Sequence, residues 1–326
     1  MNYILNFNGL RGILAMLVVF AHVSQNQICG KYAVCTFFVL SGFLYGLKYS
    51  LNEKRIQFKN ILNSMSKLYP GYFITLVLFA LMAVFLLHKD LLVIVKSFFA
   101  HIFFFQTWVP HTWFELLNSP TWFLSAYFGI LLIFFVVQER YILLFSFLLL
   151  TMVLCVFVSE IYWLFFVSPY MRFYDFIIAY FCGKLVGKRN QFDPSCIKQS
   201  FLFLVTILSI VATIICRIIY WDLMPDSIKY SFIYLPSSIV VVCVCYVTEK
   251  CNLSFFLKSR VLQYLGSISM QLYIYHWFFA RIFFYVFPSA SIYVSFLVVV
   301  ALSVLTAHFM KKYVEKRIYD IVQKRI

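Results

Sequence analysis

The chain reads as an all-α protein, a polytopic integral membrane bundle, and three features of the sequence say so. Of its 326 residues, 63% are hydrophobic and only 12% are charged, whereas soluble domains carry about 25% charged residues. Apolar stretches recur along the whole length, each near the ~20 residues that cross a hydrocarbon core as a helix. Phe (40) and Tyr (23) are abundant, which suits lipid-facing and bundle-packing positions.

The apolar runs place about ten spans, at roughly 8–25, 32–47, 70–87, 120–138, 141–158, 172–187, 199–219, 231–248, 265–287 and 290–310. The first run has no basic stretch before it and no small-residue cleavage site after His22, so it reads as a retained span and not a signal peptide. Pro70 is suited to the first position of the third span, where its missing N–H costs nothing. Leu91 to Trp108 is apolar enough to cross. Counting it as a span, however, would move Lys188, Arg189 and Lys198 to the outer side. A re-entrant or interfacial element on the outer face is the preferred reading, with an eleventh helix as the alternative. No internal repeat or low-complexity linker is visible, so residues 1–326 read as one domain with no fused soluble domain.

The net charge of +15 follows membrane topology. Lys48, Lys54, Arg55, Lys59 and Lys67 fall in one inner loop, Lys184, Lys188, Arg189 and Lys198 in another, and Lys250, Lys258 and Arg260 in a third. Lys311, Lys312, Lys316, Arg317, Lys324 and Arg325 fill the tail. This positive-inside pattern puts both termini in the cytoplasm and leaves no nucleic-acid signature. The nine cysteines include no C-x-x-C pair, so neither disulfides nor zinc are expected.

Arg11 and His22 carry the strongest chemical signal. They lie three helical turns apart on one face of the first span, separated by ~16 Å along the axis. An ionisable pair in a span is costly unless it faces a bundle interior or a watery cavity. Ser41-Gly42 interrupts a bulky second helix and reads first as a small-residue packing notch. The basic inner loop ending at Lys67 suits phosphate groups or anionic lipid headgroups. Arg172 and Asp175, three residues apart, form a local ion pair in the simplest reading, or offer an acid to an acceptor hydroxyl. His276 is a second intramembrane histidine, a site-lining group or part of an interfacial belt with its Tyr and Trp neighbours. His111 and Glu115 could pair at i,i+4, but no third ligand supports a metal site.

These residues fall into an ordered series of blocks. Arg11-Gly12 followed by His22 matches the arginine–ten residues–histidine signature of the acyltransferase 3 family, and Phe37 to Phe43 matches that family's second block almost letter for letter. Lys67-Leu68-Tyr69-Pro70 resembles its Arg-x-Tyr-Pro block, and Pro120-Thr121-Trp122-Phe123-Leu124-Ser125 its tryptophan block. Leu265-Gly266-Ser267-Ile268-Ser269 through Tyr273 and His276 is similar to its late block, and Lys312-Tyr313-Val314-Glu315-Lys316 to its closing stretch. The pattern is broken at three places. Cys35 stands where many members have Asp, Lys67 replaces Arg, and Ala126-Tyr127 follow Ser125 where acidic residues are common.

The resemblance implies transfer of an acyl group, usually acetyl, from cytoplasmic acyl-CoA (acetyl-CoA as donor, no metal) to a hydroxyl. The implied acceptor is a cell-surface or lipid-linked glycan such as a lipopolysaccharide O-antigen, and the implied location is the bacterial cytoplasmic (inner) membrane. On that footing His22 is the general base and Arg11 binds donor phosphate. Lys67 and Arg55 assist with the donor, and Ser41, Asp175 and His276 line the acceptor side. A covalent acyl-histidine relay is the alternative chemistry. Two rivals compete. A transporter would use Arg11, His22, Asp175 and His276 as a translocation path, but it lacks repeat symmetry and paired broken helices. A polysaccharide-assembly protein would need larger outer loops.

Overall fold

Every regular element among the described residues of the computed structural model is helical. Those residues are 4–25, 27–52, 57–108, 115–138, 140, 143–144, 146, 169–188, 199–220, 226–250, 256–315 and 317–318. In order they form α1 (Leu5–Ser24), α2 (Gln27–Asn52), α3 (Phe58–Ser66), α4 (Tyr69–Phe85), α5 (Leu91–Ile102) and a 3-10 turn (Ser119–Thr121). Then follow α6 (Trp122–Val137), α7 (Pro169–Lys188), α8 (Gln199–Tyr220), α9 (Asp226–Lys250), α10 (Arg260–Ser267), α11 (Ser269–Val286), α12 (Ile292–Phe309) and a π-helical turn (Met310–Glu315).

Among the described residues four stretches are long and apolar enough to cross a membrane: Leu5–Ser24, Ile28–Tyr49, Ser119–Val137 and Ile292–Glu315. The α3–α4 pair, bent by 53°, makes a fifth if it is one span. The described residues thus account for four or five of the ten spans read from the sequence by that standard. Leu204–Tyr220 and Ile233–Glu249 are shorter apolar helices, and the run at 141–158 lies almost wholly outside the described residues.

Local chemistry explains several boundaries. Pro70 sits in the first turn of α4, one residue inside its start at Tyr69, where no intrahelical donor is lost. Asp90 caps α5, its Oδ1 accepting from the N–H groups of Leu92 (2.8 Å) and Val93 (3.1 Å). With 12 residues, α5 rises ~18 Å, too short to cross a ~30 Å core. The chain then turns through Phe104, held at φ 57°. The run at 265–287, expected as one span, is instead two helices broken at Ile268 (φ −113°, ψ 10°). Gly266, Ser267, Ile268 and Ser269 are poor helix formers in succession, which locates the break.

The chain divides into two compact units. The first comprises residues 1–14, 31–55 and 136–267, and small residues let its backbones meet. A Cβ at Gly42 would lie 2.0 Å from the Phe176 carbonyl oxygen, and one at Gly46 2.1 Å from that of Tyr180, so α2 and α7 pack backbone to backbone. Thr36 and Ser238 hydroxyls join α2 to α9 at 2.9 Å, and Asn6 ties the start of α1 to Cys245 and Thr248 of α9.

The second unit comprises residues 15–30, 56–135 and 268–326. Its α11 and α12 pack along their lengths. Val19 and Val23 of α1, Ala280 of α11 and Val299 of α12 form a buried cluster flanked by Trp277, Phe283 and Phe296. In lipid such packing rests on van der Waals complementarity.

Candidate active site

The second unit holds the histidines of two motif blocks, His22 on α1 and His276 on α11. His276 is wholly buried, and its Nδ1 lies 3.1 Å from the Leu272 carbonyl oxygen and 2.9 Å from that of Tyr273. Both neighbours are acceptors only, so Nδ1 carries the hydrogen. In the neutral ring Nε2 is then a bare lone pair, and among the described residues nothing hydrogen-bonds to it.

His22, near the end of α1, meets this histidine. The two ring centroids are 5.1 Å apart with 40° between their planes. The Trp277 indole packs on His22 at the same distance of 5.1 Å, and Tyr273 packs on His276 at 5.9 Å. Two histidines separated by most of the sequence thus share an aromatic enclosure.

The turn before α6 covers α11 nearby. Tyr273 donates its hydroxyl hydrogen to the Pro120 carbonyl, the Asn118 amide donates to the Ile274 carbonyl at 3.3 Å, and Phe123 packs on Tyr273 at 5.4 Å. Behind the turn, Gln106 Nε2 donates to the Thr121 carbonyl (3.4 Å) and to the Tyr72 hydroxyl (3.3 Å). Tyr72 in turn donates to the His101 carbonyl at 2.7 Å. The amide oxygens of Asn118 and Gln106 are buried without a hydrogen-bond donor among the described residues. An unmet buried acceptor costs about 1–3 kcal/mol.

The other sequence-selected residues are distributed as follows. Arg11 shares the unbroken helix α1 with His22 but belongs to the first unit. In that unit Ser41 donates its hydroxyl to the Phe37 carbonyl (2.8 Å), beside the Gly42 notch. Arg172 and Asp175, both buried, form an ion pair at 2.8 Å, as the simplest reading expects. Cys35 is wholly buried within electrostatic reach of that pair. Lys67 is exposed where α3 ends. Arg55, Lys54 and His111 lie outside the described residues. Glu115 pairs with Lys89 at 2.9 Å. Among the described residues no three His, Cys, Asp or Glu side chains are grouped as metal ligands.

Sequence reasoning missed Asn118, Gln106 and His101. His101 is wholly buried, with Nδ1 2.7 Å from the Ser97 carbonyl oxygen. Its i,i+4 spacing from Ser97 inside an apolar run was the available signal. It also missed how far the closing block is engaged: Glu315 accepts from Gln271 Nε2 at 2.7 Å.

The family model described as an acyltransferase domain, Acyl_transf_3, matches residues 4–309. No curated protein matches, nor does any solved structure.

Proposed function

From the premise that the chain belongs to the acyltransferase 3 family, we propose that it moves an acetyl group from cytoplasmic acetyl-CoA to a hydroxyl of a cell-surface or lipid-linked glycan. That the protein is an acyltransferase with membrane-type helices follows from the family and from its apolar helices. The donor, the acceptor, the residue roles, the bacterial cytoplasmic membrane and the cytoplasmic termini belong to the proposal.

In this reading neutral His22 takes the acceptor hydroxyl's proton as its oxygen attacks the thioester carbonyl, a contribution of roughly 10²–10⁴-fold. The carbon–sulfur bond breaks, coenzyme A leaves as thiolate, and His22 returns the proton to sulfur. The products are an ester and free coenzyme A. Arg11, about three turns away on the same helix, binds donor phosphate as a forked, charge-assisted donor. Lys67 and Arg55 draw the anionic donor in. Ser41 and Asp175, the latter held by Arg172, are the acceptor-side polar groups of the first unit.

One observation carries the reading. The histidine of the first motif block, half-buried, and the histidine of the late block, wholly buried, stand with ring centroids 5.1 Å apart beside the Trp277 indole. Lone core histidines satisfied by packing would not need to meet. The test is chemical analysis of ester-linked acetyl groups on envelope glycans from host cells with and without the chain. Loss of one acetyl modification on deletion, restored on re-expression, supports the proposal. Unchanged glycans overturn it.

A further inference from the structure

His22 is a general base in the reading above, and a base of this kind needs something to fix its tautomer and aim. In hydrolase triads a carboxylate does this. Here the carboxylates are occupied elsewhere. Among the described residues of the second unit, Asp90 caps α5, Glu115 pairs with Lys89, and Glu315 accepts from Gln271. None of these contacts involves His22.

His276 has the properties that the missing acid would supply. Its Nδ1–H is committed to two backbone carbonyls on its own helix, so Nε2 can act only as an acceptor while the ring is neutral. That nitrogen is wholly buried and has no partner among the described residues. Among the described residues, the nitrogen-bearing ring that packs on His276 is that of His22. Two imidazoles joined edge to edge through N–H···N, with ~2.9 Å between nitrogens, have centroids about 5 Å apart. The observed separation of the two centroids is 5.1 Å, the spacing that such a bond requires.

We propose that His276 is a positioning residue whose Nε2 accepts the N–H of His22 and thereby leaves the other His22 nitrogen, with its lone pair, facing the reacting hydroxyl. During transfer His22 gains the hydroxyl proton and becomes an imidazolium that still donates to His276. It then passes the same proton to the departing thiolate, and the dyad returns to its starting state. The inference rests on the acyl-transfer reading for its role, while the pairing of the two rings stands apart from it.

Two measurements on the full chain in lipid nanodiscs test this. The first is nitrogen NMR with ¹⁵N-labelled histidine, which reads tautomers whether or not the protein is active. His276 is expected as the Nδ1–H tautomer, and the His22 resonances are expected to move in His276→Asn but to stay close to wild type in His276→Gln. An Nε2–H tautomer at His276, or His22 resonances indifferent to both substitutions, overturns the pairing.

The second is transfer of label from radiolabelled acetyl-CoA into glycan by membrane vesicles from the host. Gln places its amide near the position of Nε2, whereas Asn places it near Nδ1. His276→Gln is expected to retain kcat within ~5-fold and His276→Asn to lose ~100-fold, with KM for acetyl-CoA unchanged in both. Equal activity of the two variants, or an Asn variant better than Gln, overturns the positioning role. Wild-type vesicles that transfer no label while NMR reports the paired tautomers would sink the acyl-transfer reading, and with it the positioning role, leaving only the pairing.

Discussion

The Gln271 amide donates to the Glu315 carboxylate at 2.7 Å, joining the first turn of α11 to the π-helical turn that follows α12. The Tyr275 hydroxyl lies 3.4 Å from the other carboxylate oxygen, and Gly71 of α4 leaves room for both groups. A Cβ there would meet each oxygen at 2.5 Å. The buried acid thus fastens α4, α11 and the end of α12 together. Replacing Glu315 with Leu strands the Gln271 amide and the Tyr275 hydroxyl, at a cost of about 1–3 kcal/mol. Glu315→Gln keeps an acceptor and is expected to cost less. Thermal unfolding in detergent reads the difference, and equal melting of the two variants would contradict this role.

Gly42 and Gly46 set how closely α2 approaches α7. The atoms an added methyl would meet are backbone carbonyl oxygens at 2.0 and 2.1 Å, which cannot swing aside as a side chain would. Gly42→Ala is expected to lower the melting temperature and the yield of folded protein more than Ser41→Ala. Among the described residues Ser41 hydrogen-bonds the preceding turn of its own helix. A harmless Gly42→Ala would show that the two helices are not held at this distance.

Arg172 and Asp175 separate structure from function. Arg172→Leu alone leaves a buried carboxylate without its cation and is expected to cost about 3–5 kcal/mol. The double variant Arg172→Leu/Asp175→Leu removes both charges and is expected to recover most of that stability. If Asp175 serves the acceptor, the double variant folds but transfers little acetyl. A double variant that transfers at the wild-type rate would reduce the pair to a structural one.

Arg11→Lys keeps the charge and removes the fork that grips phosphate through two N–H groups. The expected outcome is a KM for acetyl-CoA raised about 10-fold, equivalent to ~1.4 kcal/mol, with kcat little changed. Steady-state kinetics with acetyl-CoA as the varied substrate measures it. A lowered kcat at unchanged KM would point to a role in the chemical step.

Much of this was legible in the residues. Arg11, His22 and His276 stood out because ionisable groups are rare in apolar runs. Pro70 marked a helix start, and the Ser41-Gly42 notch is a close helix approach. What could not be read depends on tertiary partners. The break at Ile268 follows from four weak helix formers whose combined effect a hydropathy window averages away. Nor does any periodicity announce that Asn118 turns toward the Ile274 carbonyl, or that Glu315 folds inward onto Gln271. The proximity of His22 and His276 is a long-range fact of the same sort. Each was visible alone, but their meeting depends on how α1 and α11 pack.

The measurement that bears most directly on the account is acetyl transfer by His22→Gln, using labelled acetyl-CoA and host membrane vesicles, with insertion confirmed by the amount of chain in the membrane. Gln fills a similar space but cannot take a proton, so the account predicts a fall of about 10²-fold or more in kcat with normal membrane insertion. Transfer at the wild-type rate by a correctly inserted His22→Gln protein would contradict it.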